Sequence, residues 1–215
     1  YKGHAVLGLA ATSPEIAEEA LSLIDVDYEV LTPVLSAEEA MREDAPILHE
    51  DLATLTNPTI RAGGTRAESD KSKPSNIGSH LEFRLGDVEK GFQEADVIVE
   101  QKTHTEAVHQ GYLEPHSATA LWDNDGNVTV WTSSQGQFQI RDQTAVILGI
   151  PVSSVKSIPL EVGGGFGGKT LVYLEPVAAL LSHETGRPVK VTMSRADEFE
   201  GTGPTSGTVM TVKVG

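Results

Sequence analysis

The sequence predicts an α+β chain with a strand-helix-strand unit at its start, a linker over residues 53–79 and a mixed unit over residues 80–215. Three observations predict this. Apolar and helical patterns alternate before residue 49. Period and large apolar side chains almost vanish over 53–79, and short strand-like runs interleave with two helical stretches after that.

Each element has its own signal. Residues 5–11 (AVLGLAA) form an apolar run suited to a buried strand. Ser13-Pro14-Glu15 supplies an N-cap, a proline at the first helical position and a first-turn acid. Ile16, Ala20, Leu23 and Ile24 recur at helical spacing, predicting a helix over 14–24, and Asp27–Leu31 reads as a returning strand. Asn57-Pro58, Gly63-Gly64 and residues 71–76 (KSKPSN) break the pattern that follows. Strands are then expected at 80–85, 96–106, 117–122, 127–132, 155–162 and 189–193, and the chain ends in strand-like residues. Asn124-Asp125-Gly126-Asn127 marks a hairpin turn. Helices are expected over 137–148, with Phe138, Ala145 and Leu148 on one face, and from near Pro176 to Gly186. Starting at Tyr1 without Met, in strand-like sequence at both ends, the chain is expected to be an excised piece.

Composition narrows the chemistry. Sixteen Lys and Arg against 31 Asp and Glu give a formal charge of −15, which disfavours broad contact with nucleic acid. An anionic small molecule can still bind where backbone N–H groups converge, because that attraction is local. With no cysteine, the chain holds no disulfide, thiolate zinc site or cysteine-ligated iron–sulfur cluster. No apolar run approaches membrane-spanning length, and a cytoplasmic location is expected.

The most informative stretch is GGGFGGKT, residues 163–170. Five glycines in six positions are costly to order, so the run reads as backbone meant to approach a ligand closely. As a pattern it fits a Walker A box through Gly163, Gly168, Lys169 and Thr170, and a dinucleotide fingerprint through Gly163, Gly165 and Gly168. Both need a buried strand before the loop and a helix directly after it. Pro159 and Glu161 spoil the strand, and Pro176 would break the helix in its second turn. An extended ligand loop, with a helix starting near Pro176, fits better.

The same stretch resembles the cofactor loop in the large subunit of molybdenum hydroxylases, the xanthine dehydrogenase, aldehyde oxidase and carbon monoxide dehydrogenase family. The likeness extends over GDVEKGFQEADVIVE (86–100), YLEPHSATALW (112–122), residues 130–169, TGRPVKVTMSRADEF (185–199) and residues 3–31, with 53–79 the weakest part. It implies the C-terminal part of an α/β hammerhead domain at 1–52, a linker at 53–79 and an incomplete first molybdopterin-binding domain at 80–215. Gln135 would correspond to a glutamine that hydrogen-bonds an oxygen ligand of molybdenum without ligating the metal. Gly165, Phe166 and Gly167 would lie against the cofactor. Thr170 would stand in the substrate pocket where xanthine-oxidising members carry a glutamate, which argues against xanthine. The general base would lie outside these residues, leaving no catalytic residue within them.

The implied reaction hydroxylates an aldehyde or electron-poor N-heterocycle with oxygen from water. The implied cofactor is molybdopterin or its cytosine dinucleotide form. Iron–sulfur clusters and FAD would sit on partner subunits or domains, beside the remainder of the large subunit and a small-molecule substrate, with neither nucleic acid nor membrane as a partner. Two other readings stand beside this one: a non-catalytic or truncated scaffold domain, and a P-loop nucleotide-binding protein. Elsewhere, His104, His109 and His116 with Glu106 and Glu114 fit no zinc spacing and read as partly exposed strand histidines. Ser133-Ser134 lacks a nucleophile-elbow motif.

Overall fold

The structure, a computed structural model, describes residues 3–61, 64–68 and 73–215. In chain order its elements are α1 (Pro14–Ser22), α2 (Ala37–Ala40), β1 (Leu55–Arg61), β2 (Gly64–Glu68), β3 (Ser79–His80), α3 (Val88–Glu94) and β4 (Val99–Thr105). There follow β5 (Ser117–Trp122), β6 (Val128–Thr132), α4 (Gln137–Leu148), β7 (Val155–Pro159), α5 (Glu175–Thr185), β8 (Val189–Thr192), α6 (Arg195–Gly201) and β9 (Thr208–Val214). They form two compact units, one of Tyr1–Val26 with Glu106–Gly207 and the other of Asp27–Thr105 with Thr208–Gly215.

The first unit is built on a four-stranded sheet in the order β7-β6-β5-β8. β5 and β6 make an antiparallel hairpin, closed by the expected turn with Gly126 at φ 85, where a residue without Cβ is favoured. β8 joins β5 antiparallel, and β7 joins β6 parallel. That last pairing needs a crossover, which α4 supplies. Alternation does the rest: Ala118, Ala120, Val128 and Val130 are buried, and α4 and α5 bring Ile140, Ala145, Ala178 and Ala179 into the interior. Both helices end at a left-handed glycine, Gly149 at φ 67 and Gly186 at φ 62, as the sequence predicts. On α4 the buried face runs through Ile140, Thr144 and Ala145. Phe138, expected on that face, is 74% exposed and lies under the Arg141 guanidinium.

Three further expectations need correction. Residues 5–11 and 27–31 are not strands, and no β-α-β pairing forms between them. An apolar run becomes a strand only where a ladder partner meets it. Residues 5–11 instead lie over α5, with Gly8 against Val177 and Leu181. Residues 81–85 likewise stay unpaired beyond β3. Within the expected linker, β1 pairs antiparallel with β2 and parallel with β3. Main-chain bonds carry such a ladder without large apolar side chains, so their scarcity there was no sign of irregular chain. Gly63 and Lys71-Ser72, read as breakers, lie outside the described residues. In the second unit the expected terminal strand is β9, antiparallel to β4 in unbroken register from Val99–Val214 to Thr105–Thr208.

A buried polar knot ties α6 to the segment before β5. Glu198 is fully buried, and its carboxylate accepts from the Tyr112 hydroxyl at 2.5 Å, the His116 main-chain N–H at 2.7 Å and Thr202 Oγ1 at 2.9 Å. The His116 ring meets it at 2.7 Å through Nδ1. Burial alone would raise this carboxyl's pKa, but the Tyr112 and His116 hydrogen bonds outweigh it and hold the group below the usual glutamate value. Burial, and then the bond to Glu198, push Tyr112 upward. His116 is therefore a buried histidine, contrary to the partly exposed strand histidine expected. Arg195 adds bonds to the Tyr112 and Leu113 carbonyls at 2.9 and 2.5 Å.

Two outcomes follow for the full-length protein. Ile140→Ala should cost about 2–5 kcal/mol, read from the denaturant midpoint. Glu198 has a depressed native pKa, so its stabilisation is complete above the ordinary glutamate range and drains as pH falls through that range towards the native value. Glu198→Gln should cost about 3 kcal/mol at neutral pH and flatten the acid side of a stability-against-pH curve.

Candidate functional site: a glycine loop and its glutamine

Because β6 and β7 run parallel, with Thr132 opposite Pro159, their C-terminal ends open on one edge of the sheet. β6 continues into Ser133-Ser134-Gln135 and β7 into the glycine run. The two extensions are stitched together. The Gln135 main-chain N–H donates to the Lys169 carbonyl at 2.8 Å, and Ser134 Oγ donates to the same oxygen at 2.9 Å. Beneath them Glu175, buried at the start of α5, accepts from Thr132 Oγ1 at 2.8 Å and from the Tyr173 N–H at 2.9 Å.

The loop is bent by its own backbone. Gly164 and Gly167 have φ of 94 and 90, and Phe166 has φ 48, the one non-glycine residue with positive φ among the described residues. That conformation costs a residue with Cβ roughly 1–2 kcal/mol. The Gly168 N–H donates to the Gly165 carbonyl at 2.7 Å and closes the turn. Phe166 is 74% exposed at its tip.

Gln135 occupies the inside of the bend. Its Oε1 accepts from the N–H groups of Gly167 at 3.1 Å and Lys169 at 3.2 Å. Two donors aimed at one atom decide which way the amide points. The Nε2 group then meets no acceptor among the described residues. A Cβ at Gly165 would stand 2.5 Å from Gln135 Oε1, so a side chain there would push the amide out of its place in the bend. The N–H groups of 164, 165 and 166 likewise find no acceptor among the described residues. Consecutive uncommitted N–H groups on a bent backbone make an anion-binding concavity.

The sequence-predicted residues Gln135, Gly165, Phe166 and Gly167 thus come together. Thr170 stands at the loop's exit with its hydroxyl donating to the Gly167 carbonyl at 3.2 Å. The histidines do not assemble: among the described residues no group of three His, Asp or Glu is placed to hold a metal. Residues 170–174 are irregular and α5 begins only at Glu175, so no helix start caps the loop as a phosphate loop requires. Lys169 is wholly buried, its Nζ 2.7 Å from Glu114 Oε2.

Sequence reasoning missed Glu114. Its Oε2 also accepts from the Gly163 N–H at 2.5 Å. Burial acts to raise its pKa, but the Lys169 bond and then the Gly163 N–H lower it further, leaving it below the usual glutamate value. In the sequence Glu114 groups with the histidines, and nothing local in YLEPH pairs it with a lysine 55 positions away.

Comparison with known proteins places the chain in a family. The molybdopterin cofactor-binding domain family matches residues 69–215, more than half of the chain. The probable hypoxanthine oxidase XdhD of Escherichia coli K12 is 35% identical over 235 residues, covering 100% of this chain and 24% of that protein. The nicotinate dehydrogenase large molybdopterin subunit of Eubacterium barkeri is 33% identical, covering 91% of this chain and 40% of the subunit. Among solved structures, reconstituted CO dehydrogenase from Oligotropha carboxidovorans superimposes with a TM-score of 0.73 at 28% identity, over 93% of this chain and 24% of that one. The chain therefore spans about a quarter of the length of XdhD. With both the family match and the loop geometry in view, the chain belongs to the molybdopterin cofactor-binding domain family.

Proposed function

We propose that this chain cradles a molybdenum–pterin cofactor within a hydroxylase that oxidises an electron-poor N-heterocycle or an aldehyde, the heterocycle being favoured. The observation that carries the reading is the set of unspent donors, the N–H groups of 164–166 and Nε2 of Gln135, on a loop whose N–H groups at 163, 167, 168 and 169 are already paired. Neutral donors suit a group rich in oxo, pterin and phosphate oxygens, because they meet charge without adding a fixed cation. The loop offers no thiolate or imidazole, so the metal would be held by the cofactor's own sulfurs.

When bound, the cofactor would supply a two-electron oxidation with oxygen drawn from water. The chain's residues would bind and orient it. Gln135 Nε2 would donate to an oxygen of the group, held in aim by the two bonds to its Oε1. The N–H groups of 164–166 would meet neighbouring oxygens, and the exposed ring of Phe166 would exclude water beside them. Position 170 carries a threonine hydroxyl and no carboxylate, which supports a substrate other than xanthine. The names of the two relatives, for hypoxanthine and nicotinate, support a heterocycle.

The same reading assigns residues 1–52 to the end of a hammerhead domain and 80–215 to the first cofactor-binding domain. The general base lies elsewhere in the large subunit, and iron–sulfur and flavin partners carry the electrons in the cytoplasm. No helix among the described residues is long and apolar enough to cross a membrane.

Metal analysis of the full-length protein in its complex tests the reading. About one molybdenum per large subunit is expected, and a metal-free complex from molybdenum-replete cells would leave the scaffold reading. Gln135→Ala should lower kcat on a heteroaromatic substrate by about 10²-fold without changing the circular dichroism spectrum. Unaltered kinetics would remove Gln135 from the site.

A further inference from the structure

The geometry points to Glu114 as a positioning residue: a single carboxylate oxygen clips together the two ends of the glycine loop and keeps its free N–H groups preformed for the cofactor. Oε2 of Glu114 takes the Gly163 N–H at 2.5 Å where the loop begins and the Lys169 Nζ at 2.7 Å where it ends. The Glu114 main-chain N–H returns a bond to the Gly163 carbonyl at 3.4 Å. Between these points the loop has five residues, four of them glycine, which carry almost no packing of their own.

Lys169 is the counterpart. A lysine in a glycine-rich GK motif is ordinarily read as a cation offered to a ligand. Here it is 0% exposed, its Nζ lies 4.9 Å from the centre of the Tyr112 ring, and its charge is spent on Glu114. Tyr112 backs the loop as well, since a Cβ at Gly164 or Gly168 would stand 3.1 or 2.8 Å from it. The Glu198 knot holds Tyr112 from the other side. Segment 112–116 is thus a rigid strap, fastened to α6 behind and to the loop in front. Gln135 fills the bend, and Glu114 closes its base.

An ordinary buried ion pair and a clip make different predictions. Removing one partner of a buried pair leaves an uncompensated charge, whereas removing both charges restores stability. A clip is lost in both cases, because methionine at 169 cannot bridge to residue 114. The test compares Glu114→Met, Lys169→Met and the double variant in the full-length protein within its complex. Two quantities are read: amide exchange in the peptide spanning 160–170 of cofactor-free protein, and molybdenum retained per large subunit after loading. β5 and β6 serve as the internal exchange reference.

The clip predicts loop exchange about ten-fold faster or more in both single variants. It also predicts that the double variant recovers the thermal midpoint while its loop exchange stays fast. Retained molybdenum should fall at least about five-fold in the same three proteins, a step that rests on the proposed cofactor reading. Wild-type loop exchange in the double variant, or unchanged exchange in the singles, would overturn the clip. If wild-type protein holds no molybdenum, the cofactor reading fails while exchange still decides the clip. Fast exchange with full molybdenum retention would overturn the role in holding the cofactor.

Discussion

A run of glycines has no shape of its own, because each loses more backbone freedom on ordering than any other residue. The hydrogen bonds that Gln135 makes to residues 167 and 169 are therefore the constraint on which the site depends. They are possible because two parallel strands end together, putting Gln135 three residues past β6 and the loop just past β7. The parallel pairing in turn needs the α4 crossover, whose buried Ile140 and Ala145 fasten it to the sheet. A local arrangement of N–H groups thus rests on the topology of the whole unit.

The site also separates two kinds of electrostatics. The chain carries a formal charge of −15, yet the loop presents only partial positive charge from main-chain and amide N–H groups. The full positive charge nearest to it, on Lys169, is turned inward and neutralised by Glu114. An anionic group would meet oriented dipoles that need not reorganise on binding. A mobile surface cation would attract many anions and hold none in a fixed pose.

Much of the first unit was legible because its signals are local. Pro176 and Gly186 bracket α5, Gly149 stops α4, and the turn ending at Asn127 registers β5 on β6. Gln135 and Gly165–Gly167 are singled out only through the likeness of a long segment, since an isolated glutamine carries no signal. Other features stayed hidden because they exist only across long separations. The bonds joining Glu114 to Lys169 and Glu198 to His116 span 55 and 82 positions. Phe138 misled because helical spacing says which residues share a face, not which face another element covers. The strands within 55–68 stayed hidden for a related reason: main-chain bonds make their ladder, and apolar side chains do not mark it.

In the proposed function, uncommitted N–H groups at 164–166 and Nε2 of Gln135 meet the oxygens of a metal–pterin group. Anomalous diffraction at the molybdenum edge from crystals of the loaded, full-length complex addresses it most directly. One strong peak is expected beside Gln135 and the bend at Gly165–Gly167, with those donors within hydrogen-bonding distance of the bound group. A peak elsewhere in the protein, with the same N–H groups facing solvent, would contradict it.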